Sequence, residues 1–263
     1  MERLIINSLK TEIDKTEILK GISFKLNKGE TLIIIGESGS GKTMLSRLLI
    51  GMKPENAIIR GNIYFDDKDL LSMIEKERSN YRGKRIAYIA QNPMAIFNDF
   101  QSIESHAVEL FQSQLNFSKK ECQEKMISGM KELNLPNSEE IMKKYSFQLS
   151  GGMLQRVMFA MMMQLQPELL IADEPTSALD YYNSEKVAEM LKKFQSKNTA
   201  LIVITHDYDL AEKLGGKVMI MRNGEIVEEG ITSEMLKNPE SNYGKELLLR
   251  KTHTRYKKRS DNV

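Results

Sequence analysis

Gly36-Glu37-Ser38-Gly39-Ser40-Gly41-Lys42-Thr43 has the spacing G-x-x-x-x-G-K-[ST]. Glycines at 36, 39 and 41 let a backbone close around an anion without Cβ clashes, so successive N–H groups turn inward at a helix N-terminus. Lys42 adds a point charge suited to β/γ-phosphates, and the Thr43 hydroxyl is a ligand suited to Mg²⁺. A second group follows at Leu169-Leu-Ile-Ala-Asp173-Glu174, an apolar run that ends in two carboxylates. Asp173 stands where a phosphate-loop enzyme places its Mg²⁺-holding carboxylate. Glu174, facing the opposite side, can polarise an attacking water as general base. The third group is Leu149-Ser150-Gly151-Gly152-Met153. Ser-Gly-Gly at a helix start offers free N–H groups, a positive dipole end and a hydroxyl, although capping by Ser150 is the plainer use of the same residues. Two anion-seeking surfaces in one chain make sense when they serve two faces of one nucleotide.

These groups need strands and helices to hold them. Leu32–Ile35 reads as a buried parallel strand ahead of Gly36, and Thr43–Met52 as a helix with Met44, Leu45, Leu48 and Leu49 on one face. Before them, Leu4–Ile6 and Ile18–Leu26 read as strands joined by a turn at Asp14-Lys15, and Asn27–Glu30 reads as a second turn. Gly61–Phe65 and Arg85–Ala90 are further strands. From about 92 to 148 helical patterns take over. Ser118-Lys-Lys-Glu121 is a capping box, followed by Cys122, Met126, Ile127, Met130 and Leu133 at helical spacing, with Pro136 and Asn137 as the stop. The α/β rhythm then resumes, with helices at 150–165 and 185–194 and buried strands at 169–172, 201–205 and 217–221. Asn223-Gly224 marks a two-residue hairpin. The expected domains are residues 1–249, with the helical part inserted at about 92–148, and a tail at 250–263.

Composition narrows the class. The chain has 38 Lys+Arg and 36 Asp+Glu, yet residues 250–263 hold six Lys/Arg and one Asp. The rest is slightly acidic, which argues against a nucleic-acid binder. The basic run at 250–259 reads as a solvated tail, with contact to anionic lipid headgroups as the weaker reading. Cys122 is the single cysteine, so no intramolecular disulfide forms. No apolar run approaches the roughly 18 residues of a membrane span. Residues 1–10 carry Glu2 and Arg3 and do not read as a signal peptide.

Taken together the sequence resembles the nucleotide-binding subunits of ABC transporters along essentially its whole length, with the motifs in the family's order. Gly36–Thr43 resembles Walker A, Gln91 the Q-loop, Leu149–Met153 the LSGGQ signature and Leu169–Glu174 Walker B. Ser177-Ala178-Leu179-Asp180 resembles the D-loop, and His206, within Thr205-His206-Asp207, the switch histidine. The resemblance implies an α/β P-loop NTPase fold with a RecA-like, mostly parallel sheet, a small antiparallel β subdomain and an inserted helical subdomain. It implies ATP and Mg²⁺ as ligands, with Thr43, Gln91 and Asp173 toward the metal and Glu174, His206 and Gln91 as catalytic groups. It further implies a head-to-tail dimer in which each ATP lies between one chain's Gly36–Thr43 and the partner's signature. Asp180 would bridge the dimer, and the helical subdomain would dock on a membrane permease.

Two positions depart from the family pattern. An aromatic ring that would stack on adenine falls near Ile13, and no aromatic precedes Phe24, so adenine would rest on an aliphatic side chain. Met153 replaces the signature Gln, a change expected to be tolerated because backbone N–H groups and Ser150 make the phosphate contact. Leu149–Arg156 and Gln91–Asn98 resemble the dipeptide, oligopeptide and nickel importers, and the Met form resembles the D-type member of a D/F heterodimer. Asn238–Tyr243 stands where that family has a His-Pro-Tyr-Thr segment; the short tail after it and Phe97-Asn98 lean toward the nickel branch. The expected partners are an F-type second ATPase subunit, two integral membrane permeases and, indirectly, an extracytoplasmic solute-binding protein. The expected location is the cytoplasmic face of the membrane. A soluble ABC ATPase of translation or DNA repair is the alternative, disfavoured by the single nucleotide domain and non-basic body. A small-molecule kinase would not need the Ser-Gly-Gly helix. Met153, Met158 and Met161–Met163 read as core packing, and His106, His253 and Cys122 lack ligand spacing.

Overall fold

Two long amphipathic strands open the chain, β1 (Glu2–Ile13) and β2 (Thr16–Asn27), joined by the Asp14-Lys15 turn. The computed structural model describes residues 1–91, 96–176 and 181–249. In β1, besides Arg3, the buried positions run Leu4, Ile6 and then Leu9, Thr11. The change of phase is a bulge at Ser8 (φ 45°), where the register to β2 jumps between Ile6 and Leu9. One extra residue turns the following side chains to the other face, so Leu9 and Thr11 reach the same core as Leu4 and Ile6. With β4 (Ala57–Phe65) and β5 (Lys68–Asp69) these strands form an antiparallel sheet in the order β2-β1-β4-β5.

The chain divides into two compact units, Met1–Ser72 with Ile202 onward, and Met73–Leu201. Besides the antiparallel sheet, the first unit holds β3 (Thr31–Ile35), β9 (Lys217–Arg222) and β10 (Glu225–Ile231), with α1 (Lys42–Leu49), α8 (Tyr208–Leu214) and α9 (Thr232–Met235). The chain re-enters it within β8 (Ala200–Ile204), and its strand order is β10-β9-β3-β8. β3 and β9 are parallel, and β9 and β10 form the antiparallel hairpin turned at Asn223-Gly224. All five β3 residues are buried, as a parallel strand covered on both faces requires.

The second unit holds α2 (Glu75–Ser79) and the parallel pair β6 (Ile86–Ile89) and β7 (Leu169–Asp173). Its helices are α3 (Ile103–Leu115), α4 (Lys119–Glu132), α5 (Ser138–Lys143), α6 (Gly151–Leu165) and α7 (Tyr181–Ser196). The capping box forms as read: Glu121 N–H donates to Ser118 Oγ, and Ser118 N–H to the Glu121 carboxylate at 2.8 Å. The helix stops earlier than Pro136. Leu133 is its cap and Asn134 takes φ 54°, because Leu133 and Leu135 turn inward to bury their side chains. Met158, Met161 and Met163 are buried, so the methionines on α6 include core fillers. Among the described residues no helix is long and apolar enough to cross a membrane.

Candidate functional site

In the first unit, β3 runs into Gly36 and the chain loops back into α1 at Lys42. A Cβ on Gly36 would collide with the Met221 carbonyl oxygen, so only glycine lets the loop leave β3 here. Gly41 precedes α1 at φ 100°, and its Cβ would meet Leu19 at 2.8 Å and the Ile18 carbonyl at 3.0 Å. The loop is closed from inside by Lys42. Its ammonium donates to the carbonyls of Gly36 and Glu37, each at 2.7 Å, and to Ser40 Oγ at 3.3 Å. The side chain is buried, and Thr43, one residue on, is exposed. The loop thus holds the Lys42 ammonium within it through its own oxygens.

His206 follows β8 on the same sheet edge. Thr205 N–H donates to the Ile34 carbonyl at 3.1 Å, which sets the exposed His206 level with the end of β3, beside the start of the phosphate loop. Asp207 then caps α8 by accepting from Asp209 and Leu210 N–H groups. Ile13 closes β1 opposite Thr16 and Ala57 and is half-buried.

In the second unit, β6 and β7 pair in register from Ile86 with Leu169 to Ile89 with Ala172. Parallel register brings the exposed Gln91 and the pair Asp173–Glu174 to one end of the two strands. Asp173 is 4% exposed. Its Oδ2 accepts from the Tyr88 hydroxyl at 3.0 Å. Glu174 is half-buried with φ 49°, a left-handed backbone that costs a non-glycine residue about 1 kcal/mol or more. Strain of this kind persists where the surroundings hold a side chain to a task. Gln155 on α6 supplies part of that hold, its buried amide donating to the Pro175 carbonyl at 2.6 Å.

Leu149 is buried and Ser150 caps α6, accepting Met153 N–H at 3.3 Å. A hydroxyl that accepts one bond still has a proton to donate outward. Ser150 and Gly151 are exposed, Gly152 and Met153 half-buried, and a Cβ on Gly151 would meet nothing within 4 Å. The N-terminus of this helix is thus open to an anion. Ser177–Asp180, the expected D-loop, and the tail at 250–263 lie outside the described residues, as do 92–95 of the segment after Gln91.

Thr43, Gln91 and Asp173 supply only oxygen donors, the set that suits Mg²⁺. Among the described residues there is no group of three or more His, Cys, Asp or Glu able to cage a metal. Three polar residues were missed by sequence reading: Tyr88, Gln155 and, beside the phosphate loop, Tyr243. Tyr88 stands within an apolar strand, Gln155 on a helix between Leu154 and Arg156, and Tyr243 among polar residues, so no local signal reveals the partner of any of them.

Residues 19–177 match the family model described as ABC transporter. The chain is 38% identical over 232 residues to the metal-staphylopine import system ATP-binding protein CntD of Staphylococcus aureus strain Mu50, covering 88% of this chain and 86% of that protein. It is 36% identical over 239 residues to the oligopeptide transport ATP-binding protein OppD of Bacillus subtilis strain 168, covering 90% and 67%. Among solved structures, it superposes with a TM-score of 0.76 and 25% identity on the ATP-binding cassette MJ0796 in a dimeric post-hydrolysis state bound to ADP and Pi, covering 87% of this chain and 98% of that one.

Proposed function

The chain belongs to the ABC transporter family, and from that premise we propose that it is the ATP-binding and hydrolysing subunit of an importer for a metal, a metal chelate or a peptide. The observation that carries the reading is the pair of phosphate-seeking helix N-termini, α1 behind Gly36–Thr43 and α6 behind Ser150–Gly152. One chain needs both when ATP is bound by its own loop and by a partner's α6. The dimer is head-to-tail, and the partner is an F-type ATPase subunit. Relatives that import metal-staphylopine and oligopeptides support the two cargo classes, and the nickel branch remains the sequence's own lean.

In this reading Lys42 and the loop N–H groups bind the β/γ-phosphates. Thr43, Asp173 and Gln91 would hold Mg²⁺, whose bound charge offsets that of the phosphates. Glu174 takes the proton of the attacking water, and His206 holds the γ-phosphate. Ile13 gives adenine an aliphatic surface, without the stacking contribution of about 0.5–1.5 kcal/mol that an aromatic would add. Asp180 would bridge the dimer. Two permeases receive the helical insertion at the cytoplasmic face of the membrane, and an extracytoplasmic binding protein delivers cargo to them.

Affinity purification of the full chain from membranes of its native host tests this. Co-purification with a second ATPase subunit and multi-spanning proteins is expected; recovery with ribosomes or DNA instead would overturn it. Uptake of labelled nickel against labelled peptide in a deletion strain then assigns the cargo.

A further inference from the structure

The phosphate loop is held from outside as well as from inside. Residues 242–249 are helical, and Tyr243 and Leu247 on that helix are buried. The start of the helix is pinned by β10: the Glu228 carboxylate accepts from the N–H groups of Glu240 and Ser241 and from the Ser241 hydroxyl. Ser241 Oγ in turn accepts Gly244 N–H at 2.9 Å, an N-cap for the helix. The Tyr243 ring packs under the Arg222 guanidinium at 4.5 Å. Its hydroxyl oxygen accepts the Glu37 N–H at 3.3 Å.

That N–H and the Gly36 carbonyl belong to one peptide group. The described chain has no cis peptide bonds, so the two point in opposite directions. One end of the plane meets Tyr243, and the other accepts from Lys42 Nζ at 2.7 Å. Rotation of this plane breaks both bonds together. Burial, aided by the Glu37 carboxylate, pushes the Tyr243 phenol above its ordinary value, so it stays neutral and keeps a lone pair for the N–H through the physiological range.

We propose that Tyr243 is a positioning residue for ATP binding: by holding the Gly36–Glu37 peptide plane from outside the loop, it keeps the Gly36 carbonyl turned inward and so sets the place of the Lys42 ammonium. Residues 242–249 are then a brace on the phosphate loop, and movement of that helix would change nucleotide affinity without touching the nucleotide. The inference rests on the ATP-binding role proposed above.

Tyr243→Phe is the test, because it keeps the ring and the Arg222 contact and removes only the oxygen. In the full chain, titration with a fluorescent ATP analogue should show about three- to ten-fold weaker binding, the range for one net hydrogen bond. The Glu37 amide should exchange faster with deuterium in the nucleotide-free protein. In the assembled ATPase, KM for ATP should rise while kcat holds and the melting temperature falls by no more than about 4 °C, the share of one hydrogen bond. Equal affinity and equal Glu37 exchange in wild type and Tyr243→Phe overturn the proposal. So does a fall in melting temperature and kcat with KM unchanged, the mark of a merely structural role. A wild-type chain that binds no ATP analogue overturns the ATP-binding reading and this inference together, whereas normal wild-type binding with an indifferent Tyr243→Phe overturns the brace alone.

Discussion

The hydroxyl of Tyr88 lies 3.0 Å from Oδ2 of Asp173, joining the middle of β6 to the last residue of β7. Asp173 is buried, so a donor on one oxygen both offsets its desolvation and holds the rotamer of the other. Tyr88→Phe removes the donor and keeps the ring. The Mg²⁺ concentration for half-maximal ATPase activity should rise about ten-fold, the low end for a group that orients a metal ligand. A Mg²⁺ titration that superposes on wild type would show that another group orients Asp173.

Lys42→Ala takes the cation out of the phosphate loop and leaves the Gly36 and Glu37 carbonyls without it. Loss of two charge-assisted contacts from Lys42 to the β/γ-phosphates corresponds to about 3 kcal/mol, or a loss of affinity of order 100-fold. Equilibrium titration with a fluorescent ATP analogue reads this directly, and near-normal binding would contradict the assignment of the loop.

Glu174→Gln keeps the shape of the side chain and removes its basicity. ATP should still bind, while turnover falls about 10²- to 10⁴-fold, the contribution of a positioned general base. Under these conditions the ATP-bound dimer should accumulate in size-exclusion chromatography. Wild-type turnover would assign the base elsewhere.

Ser150→Arg places a long cation on the open N-terminus of α6, away from this chain's own phosphate loop in sequence. Binding of ATP by the isolated chain should be unchanged. ATPase activity of the dimer should fall about 10²-fold, by analogy with loss of a preorganised donor to a developing anion. Loss of this chain's own ATP binding would contradict the head-to-tail arrangement.

Tyr208, at the first position of α8, gives a pH signature in the first unit. Burial, with Tyr243 and the Glu37 carboxylate nearby, pushes its phenol up to about 12. The folded state therefore keeps a proton that the unfolded chain releases near pH 10. This contribution to stability is fully present below pH 10 and is lost between pH 10 and about 12. Urea midpoints for wild type should fall across that window more steeply than for Tyr208→Phe, and parallel slopes would remove Tyr208 as the source.

The phosphate loop, the Asp173–Glu174 pair and the Ser150 cap were legible in the sequence because each is made by neighbours along the chain. A glycine spacing, an apolar run or a capping serine acts over a few residues, and local stereochemistry then dictates its shape. The same applies to β3, β7, the α4 capping box and the Asn223-Gly224 hairpin. The change of face in β1 was not legible, because it depends on the bulge at Ser8 and the partner strands that tolerate it. Short elements such as α2 and α9 carry too few residues for a periodic pattern.

By itself, then, the sequence determined the chemical groups and their order: a glycine-rich loop after one buried strand, a carboxylate pair at the end of another and a serine-capped helix start. Only the tertiary structure decided what holds those groups in place. Tyr88 meets Asp173 across 85 residues, Gln155 meets Pro175 across 20, and Tyr243 meets Glu37 across 206. A hydrogen bond is specified by the positions of two atoms within a few tenths of an ångström. For residues this far apart, those positions exist only after the sheet registers and helix packing have formed.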